Sequence, residues 1–247
     1  MKAVITGASS GIGRDMAYLL SERGYDLILV ARRRERLEEL DLPVTTKIYS
    51  YDLSKPEEVH AFFSEIQDEK IDVFVNNAGF GVFGRFCDTP LERELEMLST
   101  NVTAVHILTK LILEKFCKQN SGYLLNVASS AAFYPAPMLA AYYATKAYVY
   151  RLTLGIYEEL RHKNSEVSVS VLCPGPVKTE FDRVANVASS LKGMDSKIVA
   201  EYAINQMFRK KTVIIPGFTM KMGKWFSRFL PEKWLLYLLY YIQNKKA

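Results

Sequence analysis

Lys2-Ala3-Val4-Ile5-Thr6-Gly7-Ala8-Ser9-Ser10-Gly11-Ile12-Gly13 reads as a strand that breaks into a glycine-rich turn. A helical pattern then runs through Leu20, with Gly24 beyond its end. Glycines let main-chain amides approach a pyrophosphate closely, and a helix starting there turns its positive N-terminus to the phosphates. The spacing is Gly-x-x-x-Gly-x-Gly. Such a turn also serves as a plain tight corner, but a strand before it and a helix after it favour a dinucleotide site. Met1 to Thr6 is too short an apolar run for a signal peptide, so a cytoplasmic protein is expected.

Further strand-like runs lie at Leu27 to Ala31, Lys47 to Tyr51, Val73 to Val75, Tyr123 to Val127, Val167 to Leu172 and Val213 to Ile215, alternating with helical stretches. Alternation of this kind predicts an α/β fold, a parallel sheet with helices on both faces. With 247 residues, 49% of them hydrophobic, the chain suffices for one large core, and a single domain is expected. Ligands of such sheets sit at the carboxyl ends of the strands. At the end of the second strand, where an acid would bind a free ribose 2′-hydroxyl, the chain has Ala31 followed by Arg32, Arg33 and Arg34. Without the acid a 2′-phosphate is not repelled, and a guanidinium pairs with it through a fork of donors. The alternative, an exposed basic helix face, fits Arg34 with Glu38 but leaves the missing acid unexplained. NADP(H) is therefore expected, with Arg32 as the first contact. After the third strand, Asp52 is balanced between accepting from the adenine amino group and capping a helix near Pro56. Asn76-Asn77-Ala78-Gly79 follows the fourth strand. Leu91 to Phe116 is a helical stretch interrupted by Ser99-Thr100-Asn101, where a distorted backbone or a bound water is expected.

Tyr142 and Lys146 lie in a helical pattern from Ala140 to His162, four residues apart and so on one face. A tyrosine titrates at about 10, and an adjacent ammonium favours the phenolate; lowering it by about three units takes ~4 kcal/mol. The pair thus suits proton transfer, with Tyr143 a weaker candidate. Cys87, Cys117 and Cys173 lack metal-ligand spacing and are read as core thiols, while His60, His106 and His162 form no cluster, so no metal site is expected.

With these pieces assembled, the sequence resembles the short-chain dehydrogenase/reductase family over residues 1 to 217. The likeness rests on Thr6 to Gly13, Asn76 to Gly79, Asn101, Ser129 thirteen residues before Tyr142, Lys146, and Pro174-Gly175-Pro176-Val177-Lys178-Thr179. It implies a Rossmann-type, doubly wound, seven-stranded parallel sheet and a homodimer or homotetramer. It implies that Tyr142 is the acid/base, that Ser129 holds the substrate oxygen and that Lys146 binds the nicotinamide ribose and depresses the tyrosine pKa. Asn101 would support a water of the proton relay. Gly7, Ser9, Ser10, Gly11, Ile12 and Gly13 would surround the phosphates, with Asp52 and Leu53 at the adenine. Asn77, Ala78 and Gly79 would run along the cofactor, and Pro174, Gly175, Val177 and Thr179 would flank the nicotinamide. Ser130 is a neighbouring hydroxyl without the thirteen-residue separation. The expected activity is interconversion of an apolar ketone or aldehyde and its alcohol. The alternative is a non-catalytic NADP(H)-sensing or scaffold protein, which loss of Tyr142, Ser129 or Lys146 would have favoured. Phe181 to Gly193 occupies the place of the family's substrate lid, and Phe80, Phe83, Phe86, Phe133, Tyr134, Pro135 and Pro137 are candidates to line an apolar pocket.

Residues 1 to 219 hold 26 basic and 26 acidic residues, whereas Met220 to Ala247 holds six basic residues and one Glu, the whole net charge of +5. A neutral body argues against a nucleic-acid partner. Residues 220–247 read as a separate helical tail on a 1–219 domain, in two helices divided near Pro231. Leu235 to Ile242 falls short of the roughly 20 apolar residues of a membrane span. Trp225, Phe226, Phe229 and Leu230 recur at helical spacing, with Lys221, Lys224 and Arg228 on another side. The preferred expectation is that this apolar stripe packs on the domain, closes a substrate pocket or joins subunits; contact with an anionic membrane surface is the alternative.

Overall fold

A computed structural model describes residues 1–185, 193–227 and 229–244, and the side chains of 242–244 lie outside the description. Its first half runs β1 (Lys2–Thr6), α1 (Gly11–Ser21), β2 (Asp26–Ala31), α2 (Arg34–Glu38), β3 (Thr46–Ser50), α3 (Pro56–Ile66), β4 (Val73–Asn76), α4 (Leu91–Leu98), α5 (Val105–Gln119) and β5 (Tyr123–Val127). Then follow α6 (Ala140–His162), β6 (Ser168–Leu172), β7 (Val177–Lys178), α7 (Phe181–Ala185), β8 (Met194–Asp195), α8 (Ser196–Phe208), β9 (Val213–Ile214), α9 (Phe218–Phe226) and α10 (Glu232–Asn244).

Strand alternation divides the core in two. Ala3 and Ile5 of β1 face one layer and Val4 the other; Leu27 and Leu29 of β2 oppose Ile28 and Val30; Val73 and Val75 of β4 oppose Phe74. α1 and α8 cover the first face through Met16, Leu20, Val199 and Ile204. α3 and α5 cover the second through Phe62, Ile66, Ile112 and Phe116. Burial on both faces is why the central strands are apolar at consecutive positions rather than at every second one. The seven-stranded sheet has the order β3-β2-β1-β4-β5-β6-β9, parallel throughout. All seven strand-like runs are strands of this sheet. The order reverses between β1 and β4, and a crevice opens there at the carboxyl ends.

The expected interruption of the long helix is a π-helical turn, Ser99–Ala104, between α4 and α5. A parallel pair of two-residue strands, β7 and β8, was not expected from the sequence. Two residues show no period. Of the lid stretch, α7 and Gly193 are described, and 186–192 lie outside the described residues.

Two expectations are corrected here. Cys173 is a core thiol, but Cys87 and Cys117 are exposed, because they fall in a loop and on the outer side of α5. The tail forms two helices divided near Pro231, yet its stripe is turned the other way. Lys224 Nζ donates to Tyr150 Oη at 2.9 Å and lies over the Phe133 ring, and Lys221 Nζ reaches Tyr202 Oη at 3.3 Å. Trp225, Phe226, Phe229 and Leu230 are exposed. The reason is what the domain offers: the rim of Phe133, Tyr150 and Tyr202 attracts cations through ring faces and hydroxyls. Arg228 lies outside the described residues.

Candidate active site

The site is built on the loop after β1. Gly7 (φ +66) and Gly11 (φ +55) take left-handed conformations that glycine adopts without a steric cost. A Cβ on Gly7 would lie 2.8 Å from the Ala78 Cα, so the loop sits against the end of β4 at a distance only glycine allows. Thr6 holds the two together: its Oγ1 accepts from the main-chain N–H of Asn77 (2.9 Å) and of Ala78 (3.0 Å). Asn77 answers with Nδ2 to the carbonyls of Thr6 (3.0 Å) and Gly7 (3.2 Å). Asn77 is thus a clamp on the glycine loop, while the Asn76 side chain bonds Thr109 and Asn126 inside the sheet. Gly13 has another role than the expected phosphate contact: it is buried, and a Cβ would meet Asn77 Nδ2 at 2.3 Å. It serves helix packing.

A cavity of about 420 Å³ runs along these strand ends, within the usual range for a small ligand. Arg32, Arg33, Asp52 and Leu53 line one end; Gly7, Ser9, Ser10, Gly11 and Ile12 line its flank. Asn77, Ala78 and Gly79 continue along the wall, and Pro174, Gly175, Val177 and Thr179 face them. Ser129, Tyr142 and Lys146 line the other end. Length, glycine cradle and a helix N-terminus at mid-length fit an extended dinucleotide.

Asp52 caps no helix. Its Oδ1 accepts from Ser54 N (3.0 Å) and Ser54 Oγ (2.8 Å), while α3 begins after Lys55. Burial pushes its carboxyl up, but the Ser54 hydrogen bonds, with Arg32 and Lys55 nearby, outweigh that and hold it below the usual range. Arg34 pairs with Glu38 on the surface, as the exposed-face reading has it. Arg33 was passed over as a contact, yet it is the arginine tied to the phosphate loop: Nη2 donates to Ser9 Oγ (3.2 Å) and Ser10 Oγ (3.3 Å). Its Nη1 and Arg36 Nη1 both donate to Glu180 Oε2 at 2.9 Å. These hydrogen bonds pull the Glu180 carboxyl down to about 2.

Ser129 follows β5 and opens a single 3₁₀ turn, its Oγ accepting from Ala131 N at 3.1 Å. The Ser129 hydroxyl pulls the Tyr142 phenol down and the Ser130 hydroxyl that of Tyr134, so Ser129 is the serine beside the catalytic tyrosine candidate. One turn along α6, Lys146 Nζ donates to the Val127 carbonyl at 3.0 Å and lies 5.9 Å from the Tyr142 ring centroid. Tyr143 also lines the cavity.

The titration of this pair departs from expectation. Burial pushes the Tyr142 phenol up to about 12, with the Ser129 hydrogen bond pulling against it. Burial also lowers Lys146 to about 8, countered by the Cys173 thiol. The expected depression of the tyrosine is absent because desolvation of a phenolate outweighs one hydroxyl donor, and the ammonium is itself destabilised by the same dry surroundings. Asn101 packs next to Lys146 and Gly79. It lies fully buried, off the cavity wall, its Nδ2 donating to the Phe80 carbonyl (2.8 Å) and Thr145 Oγ1 (3.1 Å) and its Oδ1 accepting from Phe80 N (3.1 Å). Both amide protons are used, so the side chain is a brace between the π-turn, α6 and the loop after β4.

Of the seven apolar candidates only Phe80 lines the cavity. Phe86 is exposed, and Phe133 packs on Tyr150, outside the cavity. Leu139, Tyr143, Phe181 and Val184 complete the wall near Tyr142, with the Phe181 ring centroid 5.2 Å from that of Tyr142. Gly79 is tightly packed against the site: a Cβ there would lie 2.8 Å from Asn101 Oδ1 and 3.2 Å from Lys146 Nζ. Gly79→Ala is therefore expected to displace Lys146 and lower turnover by about tenfold or more, by analogy with the cost of misplacing a reacting group. Steady-state kinetics at saturating cofactor reads this.

Residues 1–189 match the short chain dehydrogenase family. An uncharacterized oxidoreductase of Staphylococcus saprophyticus is 36% identical over 183 residues, covering 72% of this chain and 74% of that protein. A short-chain dehydrogenase from Sphingobium yanoikuyae, solved in complex with NADPH, superposes with a TM-score of 0.83 at 29% identity, covering 88% of each chain. The bulky-bulky ketone specific alcohol dehydrogenase from Comamonas testosteroni superposes with a TM-score of 0.80 at 26% identity, covering 92% of this chain and 90% of its own.

Proposed function

The chain belongs to the short-chain dehydrogenase family, and from that premise we propose that it is an NADP(H)-dependent oxidoreductase interconverting a bulky, mainly apolar ketone or aldehyde and its alcohol. One observation carries the reading: Ser129 and Tyr142, with Lys146 a turn away, close the apolar end of a cavity whose other end holds Arg32 and Arg33. The NADPH-bound and ketone-specific relatives support the coenzyme and the substrate class.

A bound nicotinamide supplies the hydride for reduction and accepts it in oxidation. Ser129 and Tyr142 line the same end of the cavity, where both hydroxyls would reach one substrate oxygen. Tyr142 gives its proton to that oxygen as the carbon is reduced, and Ser129 donates a hydrogen bond to the growing negative charge. Lys146 offers the nearest positive charge to the phenolate left behind. Asn101 braces Phe80 and Thr145, which keeps the wall and α6 in register. At the far end, Arg33 and Arg32 would hold the 2′-phosphate, and the glycine loop would present main-chain amides to the pyrophosphate.

With a phenol near 12, carbonyl reduction keeps its proton donor through neutral pH and is expected to be flat from about pH 6 to 8. Oxidation needs the phenolate and is expected to climb with pH over the same range. Assays in both directions across that range check the sign; oxidation that fell as pH rose would contradict the assignment. Glu180 competes with a phosphate for Arg33 and Arg36, so Glu180→Gln is expected to lower the KM for NADPH about fivefold, the Coulomb effect of one nearby charge in a wet site, and to leave NADH unchanged. Oligomerisation through helices is part of the reading: Leu91, Leu95 and Leu98 form an exposed stripe on α4 that a second copy would cover. Light scattering on Leu95→Glu, expected to give a smaller species, tests it. The decisive assay is NADPH oxidation over ketones and aldehydes graded in size and polarity.

A further inference from the structure

α10 is apolar nearly all round, and among the described residues little of the protein covers it. Trp234, Tyr237, Leu238, Tyr240 and Tyr241 are exposed, and Leu239 is the one buried side chain. Trp225, Phe226, Phe229 and Leu230, at the end of α9 and in the turn after it, are exposed as well. A helix of that composition is ordinarily buried, and exposed apolar surface of such extent marks an interaction site. No helix among the described residues is long and apolar enough to cross a membrane.

Charge selects the occupant. The tail carries the entire net charge of the chain, with Glu232 its one acid. Among the described residues Lys221, Lys224 and Lys233 have no carboxylate partner, whereas fourteen ion pairs neutralise charges elsewhere on the domain. A two-fold interface between copies sets a patch against itself. Here that would bring two tails of like net charge together with one carboxylate from each side. A plane of anionic headgroups complements the same charge. Trp and Tyr, amphipathic and at home at headgroup level, supply the insertion.

We propose that α9 and α10 form a monotopic docking surface for an anionic lipid membrane, the aromatic side entering the headgroup region, with the exposed Lys233 beside the phosphates and the net charge of the tail drawing it to the surface. Anchoring Lys224 and Lys221 on Tyr150 and Tyr202 fixes this surface relative to the sheet, so docking orients the domain on the bilayer.

Trp225 and Trp234 are the chain's two tryptophans, so intrinsic emission reports this surface directly. Full-length protein is mixed with phosphatidylcholine vesicles, with or without phosphatidylglycerol. The expected results are co-sedimentation and a blue-shifted emission with phosphatidylglycerol, reversal by high salt, and about tenfold weaker binding to phosphatidylcholine alone. Lys233→Gln is expected to weaken binding about fivefold, the usual effect of one basic residue near an anionic surface. Phe226→Ser/Phe229→Ser/Leu230→Ser is expected to abolish binding while circular dichroism and NADPH turnover stay unchanged, since these side chains touch neither core nor cavity. Failure to bind phosphatidylglycerol vesicles, or binding indifferent to salt and to the triple substitution, would overturn the proposal. So would a dimer in lipid-free solution that the triple substitution splits, which would make a second copy the occupant.

Discussion

Tyr142→Phe is expected to lower kcat by about 10³-fold in both directions, within the range for losing a positioned acid or base, while NADPH affinity stays nearly unchanged. The substitution removes one oxygen from a buried ring whose packing against Phe181 and Tyr143 remains. Burial is what makes the effect large. The same burial that pushes the phenol up to about 12 keeps it protonated and ready to donate. Ser129→Ala, which removes a hydrogen bond and no proton, is expected to cost about 10²-fold. Stopped-flow NADPH oxidation with saturating carbonyl measures both. Wild-type kcat in the phenylalanine variant would transfer the role to Tyr143, on the same helix and the same wall.

Coenzyme choice should respond almost as strongly. Ala31→Asp with Arg32→Ala and Arg33→Ala is expected to shift the ratio of kcat/KM for NADPH over NADH by about 10²-fold or more, since each hydrogen bond to a charged group contributes roughly 1.5–3 kcal/mol. Ala31 ends β2 and lines the cavity, so a carboxylate there can reach a ribose. The single variants separate the arginines. Arg33 holds Ser9 and Ser10 as well as Glu180, so its loss should disturb NADPH more than loss of the exposed Arg32. A wild-type protein that uses both coenzymes equally would sink the NADP(H) reading.

Much of the site was legible because its residues act where secondary structure puts them. Tyr142 and Lys146 share a helix face by spacing alone, and α6 spans Ala140–His162 as the pattern predicts. Ser129, the glycine turn and Asn77 each end a strand whose apolar run is plain. The identity of the serine at the tyrosine required coordinates, since Ser129 and Ser130 differ only in which tyrosine each one stands beside. Gly13 and Asn101 carried the right residue types with different tasks, because what a buried group does depends on the atoms packed around it.

By itself the sequence determined the layered fold, the order of the strand ends along the chain, and the chemistry they bring together, because local hydrophobic period and turn residues encode all three. Tertiary structure decided whatever depends on contacts between distant segments. Arg33 and Glu180 are 147 residues apart, and nothing local announces their pairing. The tyrosine pKa goes up because burial, a property of the whole fold, outweighs the pull of the Ser129 hydroxyl. The tail turned its lysines inward and its aromatics outward because the rim of Tyr150, Phe133 and Tyr202 exists only once the domain has folded. Helical spacing defines two sides of a helix, and the surface it meets chooses between them.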